Sequence, residues 1–213
     1  RVIIQCISPA QRYEILSEGL GLPPWCEMNI GLLSQFIRCK RIDLVEAILD
    51  YMNGDECYNL LKGSCWIIGT TPLYSACESG NTELVMIIRR HVSKDNWYQL
   101  LQQSGIFSYS PLRSAVSGGH IDIVKYIQAS VTAEQWYELL QIKDGREFTA
   151  IHTAALEGNT DVIDFIRETL PTVKWMSLVT VPPRPKDSFF HYDKKRIEDL
   201  VRIETKLQHA INT

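Results

Sequence analysis

Apolar residues in this chain fall in short stripes at helical spacing, and the stripes recur. In "SKDNWYQLL" (93–101) Trp97, Leu100 and Leu101 stand at i, i+3, i+4, and "TAEQWYELL" (132–140) places Trp136, Leu139 and Leu140 the same way 39 residues on. The spacing puts each trio on one face of a short helix that opens after a capping hydroxyl, Ser93 or Thr132. The same segment returns as "SPAQRYEIL" (8–16), "NGDECYNLL" (53–61) and "TVKWMSLV" (172–179).

Between these segments lie three copies of a longer one: "TPLYSACESGNTELVMIIR" (71–89), "SPLRSAVSGGHIDIVKYIQ" (110–128) and "TAIHTAALEGNTDVIDFIR" (149–167). Each predicts two helices. Thr71, Ser110 and Thr149 are expected to cap the first, and Pro72 and Pro111 take its first position, where the missing N–H costs nothing. Ala76, Ala115 and Ala154 leave room for close helix approach. Gly80, Gly119 and Gly158 supply the left-handed turn that ends it. Asn81, His120 and Asn159 are then expected to cap a second helix, with Glu83, Asp122 and Asp161 at the positive end of its dipole. Its stripe runs through Leu84, Val85 and Ile88, through Ile123, Val124 and Ile127, and through Val162, Ile163 and Ile166. A less regular copy, "GLLSQFIRCKRIDLVEAIL" (31–49), aligns at an offset of 40, with Lys40 where the others carry glycine.

Repetition at this period predicts an all-α solenoid in which each unit completes its core only against its neighbours. The T-P-L-H-x-A opening of the ankyrin repeat is matched by "TAIHTAALEG" and "TPLYSACESG", and the chain resembles that family over about 31–188. The resemblance implies helical hairpins with projecting finger loops, here with a third helix added to each repeat. The departures are the longer period and the loss of the motif histidine, which survives as His152 while Tyr74 and Arg113 replace it. A three-helix armadillo or HEAT unit is the alternative fold, since its period also fits. The expected organisation is the end of a preceding partial repeat and a long finger at 1–30, four repeats at 31–70, 71–109, 110–148 and 149–187, and a degenerate closing segment at 188–213. "RVIIQCI" (1–7) aligns with the end of a second helix, so the sequence is expected to be a piece of a longer array. "KKRIEDLVRIETKLQHAIN" (194–212) predicts an amphipathic closing helix with Ile197, Leu200, Val201, Leu207 and Ile211 inward.

Composition narrows the function. The chain is 45% apolar and 22% charged, which argues against disorder, and its 22 basic and 25 acidic residues form no long block of one sign. No nucleic-acid partner is expected, and Lys194, Lys195 and Arg196 are read as a solvated helix start. Apolar runs such as "CWII" (65–68) are too short to span a bilayer, so no membrane insertion is expected. Six cysteines (6, 26, 39, 57, 65, 77) without a CxxC pair are read as reduced thiols, with Cys57 and Cys77 in the core, and a cytoplasmic location follows. "GLG" (19–21) is followed by Leu-Pro-Pro and cannot open a phosphate-binding helix. No catalytic spacing, zinc set or cofactor motif occurs. We therefore expect no catalysis, no cofactor and no metal.

The links between repeats are unusually apolar at "GLGLPPWCEMNIG" (19–31), "GSCWIIG" (63–69) and "SGIFSYS" (104–110), whereas "KDGREF" (143–148) is polar and "VPPRPK" (181–186) is read as a turn-rich finger. Large apolar residues on loops nominate a partner surface of Trp25, Trp66, Ile67, Phe107 and Tyr109, joined by Tyr74 and Arg113 at the variable fourth position of the first helices. The other reading is that these side chains fold back on their own hairpins. The function expected is a protein-binding scaffold for a protein or peptide partner. Its alternatives are the cytosolic regulatory region of a membrane channel, or the substrate-receptor region of a larger enzyme.

Overall fold

The computed structural model describes residues 29–63, 70–104, 109–145 and 148–179, together with Thr205, Lys206 and His209. Among these residues there are twelve helices and no strand. The first unit holds α1 (Asn29–Arg38), α2 (Ile42–Leu49) and α3 (Gly54–Leu61). The second holds α4 (Pro72–Glu78), α5 (Thr82–Arg90) and α6 (Lys94–Gln102), and the third α7 (Pro111–Ser117), α8 (Ile121–Ala129) and α9 (Ala133–Gln141). The last holds α10 (Ala150–Glu157), α11 (Thr160–Glu168) and α12 (Thr172–Leu178). First helices stack in a row, α1 on α4, α4 on α7 and α7 on α10, and second helices make a parallel row through α2, α5, α8 and α11. The fold is the expected ankyrin-like solenoid with three helices to a unit.

Local chemistry explains where the helices start. Thr71 and Ser110 accept from the backbone N–H of Tyr74 at 3.1 Å and of Arg113 at 3.2 Å, and Pro72 and Pro111 follow them. Thr149 is held through His152, whose Nδ1 accepts from the Thr149 backbone N–H at 3.2 Å and lies 2.8 Å from its hydroxyl. Ser93 and Thr132 cap the third helices as expected, and Asn53 forms a full capping box with Glu56.

The second helices depart from the expected capping. Asn81 does cap its own helix, accepting from Glu83 and Leu84. His120 and Asn159 do not. His120 donates from Nε2 to the carbonyl of Glu78 at 3.2 Å, and Asn159 donates from Nδ2 to those of Val116 at 2.7 Å and Ser117 at 3.3 Å. Both reach back to the end of the preceding unit's first helix, whose last carbonyls have no partner inside their own helix. Glycine makes this reach possible. Gly80 and Gly119 have φ of 69° and 67°, and an added Cβ would stand 2.6 Å from His120 Cε1 or 3.1 Å from Asn159 Oδ1. Lys40, at the same bend in the first unit, takes φ 54° despite its side chain. There Asn81 caps its own helix.

The recurring tryptophans are buried, as their spacing predicts: Trp97, Trp136 and Trp175 expose at most 4% of their surface. Each indole N–H that the burial strands must find an acceptor. Trp97 Nε1 donates to Ser130 Oγ at 2.8 Å and Trp136 Nε1 to Thr169 Oγ1 at 3.0 Å, in each case at the end of the next unit's second helix. The first unit puts Cys57 in that place, and Cys57 Sγ stays with its own unit, 3.4 Å from the Leu49 carbonyl.

Candidate functional site

Three of the seven residues nominated for partner contact come together where the second and third units meet. Arg113, on α7, lays its guanidinium 3.9 Å from the centre of the Tyr109 ring. On its other side Arg113 Nη2 lies 3.1 Å from Asp144 Oδ2, in the finger that follows α9. Both partners are buried, with side-chain exposures of 10% and 0%. Tyr74, on α4, is half-buried, bonds Ser114 of α7 and faces Arg113 and Tyr109. Burial raises its phenol above the usual tyrosine range. Trp25, Trp66, Ile67 and Phe107 lie outside the described residues, as do the "VPPRPK" finger and most of 194–212.

The base of the polar finger is closed by its own backbone. Asp144 N–H donates to the Phe148 carbonyl at 2.8 Å, and Phe148 N–H donates to Asp144 Oδ1 at 2.9 Å. Phe148 then stacks on His152 at 5.8 Å between ring centres. Arg113 thus locks a first helix to the finger of its own unit and braces Tyr109. Isolated residue types do not reveal this. Asp144 sits in a Lys-Asp-Gly turn that reads as solvent-exposed, and only the fold brings it under Arg113.

A second feature was visible in the sequence and is explained only by the structure. In the first three units the residue after the tryptophan position is tyrosine: Tyr58, Tyr98 and Tyr137. Tyr58 bonds Gln99, Tyr98 bonds Glu138, and Tyr137 lies 2.7 Å from Ser177 Oγ. Each phenol therefore crosses to the third helix of the next unit. Burial, then Glu138, pushes the Tyr98 phenol up to about 12.

Cys39 is exposed, and the other two described thiols are suited to packing. Cys57 and Cys77 are buried, and burial pushes Cys57 up to about 11 and Cys77 further. A thiol so protonated is a poor nucleophile. Among the described residues no group of three or more His, Cys, Asp or Glu side chains is placed to hold a metal, and no helix is long and apolar enough to cross a membrane. What the arrangement offers is an extended, ordered surface of helix ends and finger bases. Such geometry defines an α-solenoid built to present side chains.

The family can be stated more closely. Residues 33–135 match ankyrin repeats (3 copies), and that part of the chain is an ankyrin-repeat array. Among curated proteins no relative is detected by sequence. One of 152 solved chains with a matching fold comes from the crystal structure of the yeast ribosomal protein Rps3 in complex with its chaperone Yar1. The two are 17% identical, with a TM-score of 0.54 over 72% of this chain and 95% of that one. At that identity the likeness shows the fold alone, and a fold this widely used does not name a partner.

Proposed function

We propose that the protein is a scaffold that binds a protein or peptide partner along the edge where its fingers meet the first helices. The observation that carries this reading is the braced aromatic pair at the second junction. Tyr109, still partly exposed, is fixed by a buried Arg113 that is itself held by Asp144. A pre-ordered aromatic side chain loses little entropy on binding, and such residues dominate interface energetics. The finger residues Trp25, Trp66, Ile67 and Phe107 extend the same surface in this proposal, with Tyr74 beside it. The matching solved chain, taken from a complex of a ribosomal protein and its chaperone, is consistent with a protein-binding use of the fold.

The test is affinity capture with the wild-type chain, followed by titration of each captured protein, purified, against Trp66→Ser, Phe107→Ser and Tyr109→Ala variants. Loss of tenfold or more in affinity with an unchanged urea midpoint is the expected result. Unaltered affinity in all three variants would move the binding surface elsewhere.

A further inference from the structure

The bend between the first and second helices of the first unit differs from its counterparts in backbone and in charge. Gly80, Gly119 and Gly158 turn the later bends with φ of 69°, 67° and 85°, and Lys40 turns the first with φ 54°. A Cβ in the left-handed region is strained, so lysine stands here at a cost that glycine would avoid. Packing does not account for it. Lys40 is exposed, and Asn81, the counterpart of the His120 that crosses to the second bend, turns to its own helix and accepts from the N–H groups of Glu83 and Leu84. Backbone strain that packing leaves unexplained points to a function for the side chain.

The charges around Lys40 say what that function is. Arg38, Lys40 and Arg41 are all exposed, and the one anion of the bend, Asp43, is taken by Arg41 at 3.0 and 2.8 Å. Among the described residues no ion pair includes Arg38 or Lys40. Arg38 lies in the last turn of α1 and complements its dipole, whereas Lys40 stands past the helix end. The next two bends carry the opposite sign. Glu78 and Glu83 are exposed at the second and Asp122 at the third, with no Lys or Arg at 77–83 or 116–122. Because α1, α4 and α7 stack in a row, the three bends adjoin in that order.

We infer that the basic bend at Arg38, Lys40 and Arg41 is a docking point for a short acidic segment of a partner polypeptide. The bends follow the first helices and the fingers precede them, so this surface lies at the opposite end from the one proposed above. Its neighbours set the length of the ligand. Adjacent helices lie about 8–10 Å apart, and an extended chain covers that distance in about three residues, so a longer run of negative charge would meet Glu78 and Glu83. Repulsion there disfavours a nucleic-acid strand and favours a cluster of a few Asp or Glu side chains.

The test is an NMR titration of the isotope-labelled 213-residue chain, at low salt, with a capped peptide of about four glutamates. Amide shifts should appear at 38–43 and not at 78–83 or 117–122, and added salt should abolish them. Lys40→Gly should weaken the peptide roughly threefold or more while raising the urea midpoint, a combination that a purely structural lysine would not give. Lys40→Arg should keep the affinity, and Arg38→Gln should lower it roughly threefold. Absence of shifts at 38–43, or an affinity unaltered by both Lys40→Gly and Arg38→Gln, would overturn the inference. Tighter binding of a single-stranded oligonucleotide or of phosphatidylserine vesicles than of the peptide would overturn it too, and so would a lowered urea midpoint in Lys40→Gly, which would assign the lysine to folding.

Discussion

The junction between the first and second units and the two that follow it join the same kinds of helix by different chemistry. At the first, Glu46 pairs with Arg90, and Asp50 pairs with His91 at 2.7 Å, across the ends of α2 and α5. Cys57 stays within its own unit there, and Asn81 caps its own helix beside Lys40. At the later junctions a buried tryptophan donates to a hydroxyl of the next unit, and His120 or Asn159 crosses over a glycine. The Glu46–Arg90 pair, whose side chains are 40% and 53% exposed, contributes little, and salt screens it. A buried indole contributes several kcal/mol, on the order of 3–5 by the cost of its removal. The lesson is that one repeat pattern tolerates a weak junction at one place if strong ones follow it.

The largest effect should come from removing a ring at a strong junction. Trp136→Ala is expected to cost about 3–5 kcal/mol and to split the urea transition, because it also strands the Thr169 contact on which the next unit depends. Cys57→Ala, at the equivalent position of the first junction, should cost about 1 kcal/mol and leave the transition shape unchanged. Equal losses in the two variants would erase the distinction.

Arg113→Ala separates links within a unit from links between units. It leaves the Asp144 carboxylate buried without its cation, which should cost about 3 kcal/mol. That loss should appear as a shift of the whole transition, since the buried Arg113–Asp144 pair lies within the third unit. A split transition would mean that the contact of Arg113 with Tyr109, across the junction, is the dominant one.

Lys40→Gly should strengthen the weak end. Relief of a left-handed conformation in a residue with a Cβ is expected to raise stability by about 1 kcal/mol, read from the urea midpoint. A loss of stability would mean that the lysine side chain has a compensating role.

The smallest effect is the share of the alkaline pH dependence that Tyr98 contributes at the second junction. The Tyr98 phenol is raised from the ordinary value near 10 to about 12 in the folded chain, by burial and then by Glu138. A group whose folded pKa lies above its unfolded value contributes stability that is present below about pH 10 and lost as pH rises towards 12. Tyr98→Phe should cost less than about 1 kcal/mol at neutral pH and flatten this alkaline loss. An unchanged slope would assign the loss to other groups.

Much of this architecture was legible in the order of residues. The tryptophan stripes, the capping hydroxyls and the bend glycines are local signals, and each helix they imply within the described residues is present. What the sequence hid is where side chains go once units are stacked. His120 and Asn159 carry the right chemistry for a helix cap, yet a glycine from the neighbouring unit opens a better acceptor to them. Arg113 occupies a position that varies within the motif and reads as surface, until Asp144 arrives from a loop 31 residues away. At the candidate surface, residue type nominated Tyr74, Tyr109 and Arg113, and only the fold shows that the arginine braces the tyrosine.

The central claim is that cohesion is graded along the array, with the first junction weaker than the aromatic ones. Native-state hydrogen exchange of the 213-residue chain at increasing urea measures it most directly. The amides of α1–α3 should exchange through an opening of lower free energy than those of α4–α9, and added salt should lower the first opening alone. Exchange of α6 and α9 together with α1–α3, or before them, would contradict the account.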